Sequence, residues 1–557
     1  MVNYQPPPSS PIHRNPHAII RKLIQRLLLQ SILVILFAQY ISNLLFPDHQ
    51  TTAFKSLIAP PTNRFDAFLR SFFEGLTRWD AQHYLHVAQF GYTFEHSIAF
   101  FPLFPTISYV IASALYPFVP WSLISFPTTL IISAILLNAA AFAGAAWSLF
   151  SLSKNLFSAN PYPSILSNFQ VGPSNHDFGN SMALISTILF ILNPANIFFR
   201  AMYTESLYAF LTFLGLNCLF WKRFHAPAIA ISQKPGRNLL ESAVCFSLGL
   251  CVRSNGLLNS GYLFYYYLSS WIRPLVAGGG PTVGRGVRNS RLRSFTFRRH
   301  TRELIPTIPV FLLALVATLA PFMLSQYYQY ELFCSRDKAS GLSIPYEVVR
   351  MAHTHDKPYI LPGDQANLNW CSKNDTGYFG SFILPYTAVQ AKYWRVGLFG
   401  YYRLRKLPLF ILATPTFITA ASACMHFLTD MRLSNGDWLS KMISPLGFLP
   451  FVIHVVVLAV VGAFFINVEV FTRMLFSSTP LVYWYCAGLF LHCRKEGNED
   501  AEKSQRDLLL ELQNMGLWGV VKWLWQNGST SGKLCLSWFI AYILIGTVAF
   551  ANALPWT

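Results

Sequence analysis

The chain has 557 residues, of which 53% are hydrophobic and 12% are charged, and its formal net charge is +18. Soluble domains carry about twice this charged fraction, so the composition excludes an ordinary soluble protein. The positive charge does not indicate nucleic-acid binding, because the basic residues concentrate in loops, as expected of the cytoplasmic loops of membrane proteins. Several continuous apolar runs reach or approach the ~20 residues that a transmembrane helix needs, which predicts an all-α polytopic membrane protein.

The N-terminal part predicts a tail, a span and a loop. Residues 1–22 are basic and Pro-rich and are predicted to form a cytosolic tail. The apolar run at about 24–46 shows no obvious cleavage site after it, so we interpret it as a retained first span. It is the first span of a single predicted multi-span membrane domain, residues 23–557. Residues 47–98 then lie on the opposite side, which we take as the lumen of the endoplasmic reticulum (ER).

The next apolar run, residues 100–119, contains Pro102, Pro105 and Pro117. Proline breaks helices, so this run is predicted to be a re-entrant or surface segment rather than a full span. A full span here would invert the orientation of everything that follows.

A second unusual run covers residues 239–272, which are too many for one ordinary span. The polar sequence Arg253-Ser254-Asn255-Gly256 interrupts it, which predicts two half-spans joined by a polar elbow at membrane depth. Ordinary spans are predicted at about 126–150, 181–199, 203–221, 305–325, 407–428, 447–467, 470–492 and 535–554.

Two long loops set the predicted orientation. Residues 273–302 carry eight arginines and are predicted to be cytosolic by the positive-inside rule, which places residues 326–404 in the lumen. Two features fit a luminal location for that loop. Cys334 and Cys371 are able to pair in an oxidising compartment, and Asn374-Asp375-Thr376 is an acceptor pattern for N-glycosylation.

The densest group of ionisable and aromatic residues begins at Arg78, near the first span, and includes Asp80. A carboxylate in this setting is a candidate general base, and the alternative is an ion pair with Arg78 or a helix cap. His83 and His86 share a helix face with Asp80 at positions i, i+3 and i+6. A strong zinc signature would be His-Glu-x-x-His or paired cysteines, and this pattern is neither. Hydrogen bonding to a polyhydroxylated substrate is therefore favoured, and no metal is predicted.

Further polar residues accompany the spans. Glu95 and His96 precede an aromatic, Pro-rich segment that either holds a lipid chain or provides ordinary interfacial aromatics. Arg200 and Glu205 flank a hairpin turn that the predicted topology places at the lumen. A charged pair at a bilayer surface is by itself unremarkable.

Arg253 and Asn255 lie inside a broken apolar segment, where a charge is expensive. An arginine there suits a phosphate, which it binds in a bidentate manner; pairing with a carboxylate of the bundle is the alternative. A basic and aromatic stretch before the span at 407 is either a phosphate or sugar site or a set of interface anchors. It contains Gln390, Lys392, Trp394 and Arg395.

Four sequence blocks occur in order along most of the chain. Together they resemble the GPI mannosyltransferase 2 family, which adds the second mannose to glycosylphosphatidylinositol (GPI) precursors. Residues 151–180 and 273–302 look like unmatched insertions. The blocks are Arg78-Trp79-Asp80 with His83, Gly91-Tyr92, Glu95-His96 and Ala99–Pro105; Asn193-Pro194-Ala195 with Tyr203-Thr204-Glu205-Ser206; Arg253-Ser254-Asn255-Gly256; and Gln390 with Tyr393-Trp394, Val396-Gly397 and Tyr401-Tyr402.

The resemblance implies a GT-C type glycosyltransferase of the ER membrane, with luminal loops and a luminal active site. Its donor would be dolichyl-phosphate-mannose and its acceptor a GPI precursor with one mannose, joined by a new α-1,6 bond with inversion. No cofactor and no metal are implied. Asp80 is the only aspartate of the first block and is therefore the predicted catalytic base.

The resemblance also suggests which side chains contact the two lipid substrates, with positive ones stabilising the departing phosphate. Arg200 is a further, weaker candidate for that phosphate. The predicted substrate-binding residues are Arg78, Trp79, His83, Glu95, His96, Glu205, Arg253, Asn255, Gln390, Lys392, Trp394 and Arg395.

Two alternatives stay open at this point. One is another dolichyl-phosphate-sugar-dependent GT-C transferase, such as a protein or N-glycan mannosyltransferase, for which the prediction about Asp80 would be the same. The other is a lipid or solute transporter, although the two halves show no convincing internal repeat. The sequence leaves open whether a small accessory membrane subunit is required.

Overall fold

The computed structural model describes residues 16–49, 53–118, 120, 122–159, 175–225, 236–277, 305–335, 341–354, 359–364, 368, 370–371, 384–433, 447–491, 508–509 and 511–556. Within these residues, all regular secondary structure is helical. The predicted all-α fold is confirmed.

We number the α-helices of the described residues in chain order. They are α1 (Pro16–Leu45), α2 (Arg64–Phe73), α3 (Asp80–Phe90), α4 (Leu103–Leu115), α5 (Phe126–Ala159), α6 (Asn175–Ile191), α7 (Asn196–Arg200), α8 (Glu205–His225), α9 (Gly236–Val252), α10 (Ser260–Ala277), α11 (Ile308–Cys334), α12 (Tyr346–Thr354), α13 (Pro385–Trp394), α14 (Leu407–Leu433), α15 (Leu449–Phe464), α16 (Phe471–Ser478), α17 (Leu481–Leu491), α18 (Leu517–Asn527) and α19 (Thr530–Ala551).

Several of these helices have the length and composition of membrane spans. A helix needs about 20 predominantly apolar residues to cross the hydrocarbon core. In the described part of the chain, five helical segments meet this requirement: Ala18–Leu45, Phe126–Ser158, Ile305–Cys334, Leu404–Thr429 and Thr530–Ala551. The protein is therefore a multi-pass membrane protein.

The core lies among α5, α6, α8 and α17. Phe142 of α5 stacks on Phe190 of α6 with ring centroids 4.7 Å apart. Trp484 of α17 is buried, and its Nε1–H donates to Ser153 Oγ at 2.7 Å. In a bilayer, close packing and interhelical hydrogen bonds of this kind hold helices together. The core thus fixes α8, whose first residue, Glu205, reaches the functional site.

The predicted break after α9 is confirmed. Val252 ends α9, a 3-10 turn covers Ser254–Asn259, and α10 begins at Ser260. Gly256 permits this turn, because a Cβ atom there would lie 2.8 Å from the Cα of Leu250. The elbow leaves Arg253 in an extended conformation, at the point where the two helices separate.

The single span predicted at 470–492 is wrong. The structure has two short helices instead, α16 and α17, which are bent by 75° relative to each other. Pro480 explains the break, since proline has no N–H to donate and disfavours the helical conformation of the residue before it. Thr479 accordingly has the extended backbone angles φ −135° and ψ 135°.

The proline-containing run at 100–119 forms a short helix, α4, of 13 residues. Its length of about 20 Å is less than the ~30 Å hydrocarbon thickness. Just after it, the carbonyl oxygens of Ser122 and Leu123 accept hydrogen bonds from Asn63 Nδ2 at 2.5 and 2.8 Å. The length and these contacts favour the re-entrant prediction, which stays a prediction.

Two helices extend into regions that were predicted as a tail and a loop, and other predictions fall outside the described residues. Helix α1 begins at residue 16, within the tail predicted at 1–22, and α11 continues to residue 334, within the loop predicted at 326–404. The predicted boundaries of the tail and the loop stay predictions. Asn374 and most of the Arg-rich segment 273–302 are outside the described ranges. The side of the membrane on which each loop lies stays a prediction.

Cys334, the last residue of α11, forms a disulfide with Cys371, and their Cα atoms are 5.4 Å apart. This is the pair that the sequence analysis proposed. The bond closes a loop with a sequence separation of 37 residues and fastens the segment near residue 371 to the end of a long helix.

We expect replacement of both cysteines by serine to lower the free energy of unfolding by about 2–4 kcal/mol, because a disulfide restricts the unfolded chain. The check is the Tm of the detergent-solubilised protein. Reductant should lower the Tm of the wild type and leave that of the double variant unchanged. Alkylation of Cys334 and Cys371 in folded, unreduced protein would contradict the bond.

Candidate functional site

A cavity of 540 Å³ lies where α3, the turn before α8, the elbow after α9, α13 and α16 meet. Its volume is within the range of about 300–1,000 Å³ that is usual for small-molecule sites. We call it the Asp80 cavity. Six predicted site residues line it: Trp79, Asp80, Arg253, Asn255, Gln390 and Trp394.

Asp80 is placed by a sharp turn of the backbone at Trp79. Trp79 has φ 58° and ψ −122°, a combination that is rare for a residue with a Cβ atom. Asp80 follows as the first residue of α3, and its N–H donates to the hydroxyl of Tyr203 at 3.0 Å. A carboxylate at this position also lies at the positive end of the helix dipole.

The carboxylate of Asp80 has one oxygen bound and one oxygen available. Oδ2 accepts a hydrogen bond from Nη2 of Arg473 at 2.8 Å. Within the described residues, Oδ1 accepts none, and the side chain is 28% exposed. Since Asp80 lines the cavity, Oδ1 is available there as a hydrogen-bond acceptor.

Glu205 lies beneath this pair and is fully buried. Its Oε1 accepts from Nη1 of Arg253, and Nη1 of Arg473 lies 3.5 Å from the same oxygen. Arg253 also donates to the hydroxyl of Thr204 at 3.2 Å. Two carboxylates thus balance two guanidinium groups, so the network is neutral although it is enclosed by apolar helices.

Arg253 fits both interpretations that the sequence left open. Its Nη1 is paired with a carboxylate of the bundle, Glu205. The same side chain lines the cavity, and in the described part of the chain its hydrogen bonds are made by Nη1 alone. Nε and Nη2 are left to bind an anionic group.

The sequence analysis did not identify Arg473. It is the only Lys or Arg in the run 470–492, which was interpreted as one plain span. Arg253 was singled out because a charge within an apolar segment is expensive and therefore indicates a function. The same argument applies to Arg473 and would have identified it.

Glu95 lies outside the cavity and connects two loops. It is buried and accepts hydrogen bonds from Trp370 Nε1 at 3.0 Å, Lys392 Nζ at 2.6 Å and the hydroxyl of Tyr393 at 2.7 Å. These three donors join the loop at 47–98 to the segment before α14. The geometry gives Glu95 and Lys392 a structural role and leaves their predicted substrate contacts unsupported.

His83 is packed away from the cavity rather than exposed in it. Its ring stacks between Phe54 and Phe100 at centroid distances of 4.5 and 4.3 Å. His96 contacts the same cluster, with its ring 5.0 Å from His83. Burial, and to a smaller extent the nearby His86, lowers the pKa of His83 to about 3. The structure thus places His83 among aromatic rings, and its predicted contact with substrate stays a prediction.

Three further arginines also lie apart from the Asp80 cavity. Arg78 faces a neighbouring cavity. Arg395 is exposed at the end of α13, where it adopts a left-handed conformation with φ 57°. Arg200 is buried 3.5 Å above the ring of Phe142. Of the cations proposed for a phosphate, only Arg253 reaches this cavity.

No group of three or more His, Cys, Asp and Glu side chains suitable for a metal ion occurs among the described residues. The expectations of no metal and no cofactor stay predictions.

Comparison with known proteins identifies the family. The profile of the family described as "Mannosyltransferase (PIG-V)" matches residues 18–277 and 288–557. The chain belongs to this family. It is similar to the GPI alpha-1,6-mannosyltransferase 2 of Rattus norvegicus, with 30% identity that covers 94% of this chain and 96% of the relative. For the Homo sapiens protein the identity is 29%, with 96% and 99% covered.

This mannosyltransferase is also similar to the Drosophila melanogaster GPI mannosyltransferase 2, with 26% identity over 96% of this chain and 99% of the relative. The apo oligosaccharyltransferase of Archaeoglobus fulgidus aligns with a TM-score of 0.40 and 10% identity, covering 95% of this chain and 56% of that chain. A TM-score this low does not by itself assign a fold. Family membership makes the protein a glycosyltransferase of GPI-anchor biosynthesis, an α-1,6-mannosyltransferase, and decides against the transporter alternative.

We expect Glu205→Gln to lower the free energy of unfolding of the mannosyltransferase by about 3–5 kcal/mol, because it leaves two guanidinium groups, on side chains that are only 13% exposed, with one carboxylate. The measurement is the Tm in detergent. The matched control is Glu241→Gln, which removes the exposed pair with Arg237 and should cost at most about 1 kcal/mol. Equal Tm values for the two variants would show that Glu205 contributes no more to stability than the exposed Glu241.

The neutral His83, half-buried among aromatic rings, predicts a pH-dependent stability. The unfolded state takes up a proton near the ordinary histidine pKa of 6.5, whereas the folded state does so only near 3, so stability is full above pH 6.5 and is lost as the pH falls from 6.5 towards 3. Each pH unit changes the free energy of unfolding by about 1.4 kcal/mol for one such group.

His83→Phe preserves the stacking and removes the titration, so its Tm should fall less between pH 6.5 and 4 than that of the wild type. The exposed His353 provides the control, and His353→Gln should follow the wild-type profile. Since His83 is packed among aromatic rings, His83→Phe should also keep its transferase activity at pH 7. A well-folded but inactive His83→Phe variant would instead indicate that His83 binds substrate.

Proposed function

We propose that the protein transfers the second mannose of the GPI anchor from dolichyl-phosphate-mannose to a GPI precursor that carries one mannose. The reaction takes place on the luminal side of the ER membrane, with inversion at the anomeric carbon and Asp80 as the general base. The observation that carries this proposal is the free Oδ1 of Asp80, a residue that lines one cavity together with Arg253 and Arg473.

The chemistry requires one proton acceptor and a stabilised leaving group. The 6-hydroxyl oxygen of the acceptor mannose forms a bond to C1 of the donor mannose while the bond from C1 to the phosphate oxygen breaks. The hydroxyl proton passes to Oδ1 of Asp80, and the phosphate departs with the electron pair. Attack on the face opposite the phosphate converts the β-linked donor into an α-linked product.

The two arginines of the cavity suit the leaving phosphate. Nε and Nη2 of Arg253 and the cavity-facing part of Arg473 are donors fixed by Glu205 before the reaction, and fixed donors of this kind stabilise charge that develops in a transition state. Because phosphate is already a good leaving group, no second acid is required. We propose that no metal or cofactor takes part.

Donor binding also has a consequence for Asp80. In the structure, Arg473 is shared between Asp80 and Glu205. A bound phosphate adds a negative charge to the neutral network and competes with Asp80 for Arg473. Arg473 then holds the Asp80 carboxylate less tightly, so both carboxylate oxygens are available to the acceptor hydroxyl when the donor is present.

The aliphatic part of the cavity wall suits the lipid portion of the donor. Val396, Ile466, Val470 and Met474 line the cavity together with the charged residues. A lipid phosphate has an anionic head and an apolar chain, and the cavity offers both kinds of surface. We propose that the first isoprene units of the dolichyl chain contact these four side chains.

The test is mannose transfer by purified protein or by microsomes with matched protein levels. Asp80→Asn keeps the shape of the side chain but removes the base, and we expect the rate to fall by roughly 10²–10⁴-fold. The control is Glu347→Gln, which neutralises an exposed carboxylate paired with Arg350 at 3.1 Å. Near-normal transfer by Asp80→Asn, with Glu347→Gln equally active, would rule out Asp80 as the base.

A further inference from the structure

The Asp80 cavity contains a further carboxylate, Glu469, that the proposed mechanism does not use. Glu469 lies in the 3-10 turn Val468–Val470, directly before α16, and lines the cavity together with Asp80. It precedes Arg473 by four residues, so the two side chains lie on the same face, about one helical turn apart. Glu469 is therefore a neighbour of the arginine that holds Asp80.

One oxygen of Glu469 is fixed and the other is available. Oε1 accepts hydrogen bonds from the hydroxyl of Tyr401 and from Nζ of Lys406, the latter at 2.8 Å. Within the described residues Oε2 accepts none, and the side chain is 25% exposed. The contacts of Oε1 hold the carboxylate in place before a ligand arrives, and they leave Oε2 as an acceptor in the cavity.

A second polar group beside Glu469 lacks a partner. Asn467 lines the same cavity, and its Oδ1 is shielded from solvent but accepts no hydrogen bond from any described residue. A buried carbonyl oxygen without a donor destabilises a folded protein, and such groups are rare in native structures. A ligand that donates a hydrogen bond to Oδ1 removes this cost, so the unpartnered oxygen points to a ligand with hydrogen-bond donors.

The charges around these two acceptors favour a neutral polyol over an ion. Glu469 is compensated by Lys406, whose ammonium group also lies 5.0 Å from the centre of the Tyr401 ring. The network that Asp80 and Glu205 form with the two arginines of the cavity is likewise neutral. A bound ammonium or carboxylate group leaves this part of the cavity charged, whereas sugar hydroxyls donate to both oxygens without changing the balance.

We propose that Glu469 and Asn467 bind hydroxyl groups of the donor mannose and select this sugar, an assignment that rests on the proposed function. In that function Arg253 and Arg473 hold the donor phosphate, to which the mannose is attached through C1. The 2-hydroxyl is on the neighbouring carbon and is thus the hydroxyl nearest to the phosphate. Glu469, one turn from Arg473, accepts a hydrogen bond from this group, and Asn467 accepts one from the adjacent 3-hydroxyl.

This arrangement makes the protein selective for the configuration at C2 of the donor sugar. Glucose differs from mannose only in the direction of its 2-hydroxyl, so a glucose donor directs this group away from the fixed Oε2 of Glu469. A hydrogen bond to a charged group is among the stronger ones in proteins. We expect the wild type to use dolichyl-phosphate-mannose with a kcat/KM roughly tenfold to hundredfold higher than that for dolichyl-phosphate-glucose.

The experiment measures kcat/KM for the two donors, with the one-mannose GPI acceptor, for the wild type, Glu469→Gln and Asn467→Ala. Glu469→Gln keeps an oxygen for Tyr401 and Lys406 and replaces Oε2 by an NH2 group. Asn467→Ala removes an oxygen that no described residue binds, so its Tm should equal or exceed that of the wild type. We expect both variants to lower kcat/KM for the mannose donor by roughly tenfold, to reduce the preference for mannose, and to leave the KM for the acceptor unchanged.

The control for a merely structural role is Tyr401→Phe. This variant removes a hydrogen bond to Oε1 and leaves Oε2 of Glu469 in place, so we expect a lower Tm and the wild-type ratio between the two donors. A change of this ratio in Tyr401→Phe as large as that in Glu469→Gln would show that Glu469 acts only by anchoring the segment before α14, which overturns the inference.

The remaining outcomes separate this inference from the proposed function. A wild-type donor ratio in Glu469→Gln and Asn467→Ala overturns the donor-sugar site and leaves the transferase assignment intact, and so does equal use of both donors by the wild type. A raised KM for the acceptor with unchanged donor selectivity assigns the two residues to the acceptor and equally overturns the inference. If Glu469→Gln does not fold, the ratio for Asn467→Ala decides alone. No mannose transfer by the wild type overturns the inference and the proposed function together.

Discussion

The structure depends on one buried carboxylate. Glu205 neutralises Arg253 and Arg473, and Arg473 in turn holds Asp80. These residues come from the start of α8, the elbow after α9, the short helix α16 and the start of α3. Charges of this kind are tolerated at membrane depth only when they are paired. The requirement to pair them therefore brings together the distant parts of the chain that form the Asp80 cavity.

The two breaks in the membrane helices position the arginines of this network. The elbow at Gly256 presents Arg253, and the break at Pro480 ends the short helix that carries Arg473. Asn255 Nδ2 donates to Ser478 Oγ at 2.9 Å, which joins the two breaks directly. Irregular backbone in a membrane protein is favourable where it lines a polar cavity, and here it places a guanidinium group on each side of the buried carboxylate.

The sequence predicted the features that local pattern determines. It predicted the helical fold and the elbow around Arg253, and it singled out Asp80, which lines the cavity, because each has a signal in composition or in a short block. The catalytic role of Asp80 stays a prediction. It could not assign His83, since a helical repeat does not reveal whether its face meets a cavity or Phe54 and Phe100. Arg473 was missed because an apolar run was interpreted as uniform, although its single charge was visible.

Trp79 lies between the Asp80 cavity and the cavity that Arg78 lines. Its unusual backbone conformation, φ 58°, sends the side chains on either side of it into different cavities, and strained residues of this kind concentrate at functional sites. In the proposed mechanism, the Asp80 cavity contains the reacting groups, and the turn at Trp79 positions the proposed base.

The most direct test is an experimental structure of the Asp80→Asn variant with bound dolichyl-phosphate-mannose. The account predicts phosphate oxygens at hydrogen-bond distance, about 3 Å, from Arg253 or Arg473, with the anomeric carbon on the side of residue 80. Donor density outside the Asp80 cavity, or a phosphate directed away from both arginines, would contradict the assignment of this cavity as the site of mannose transfer.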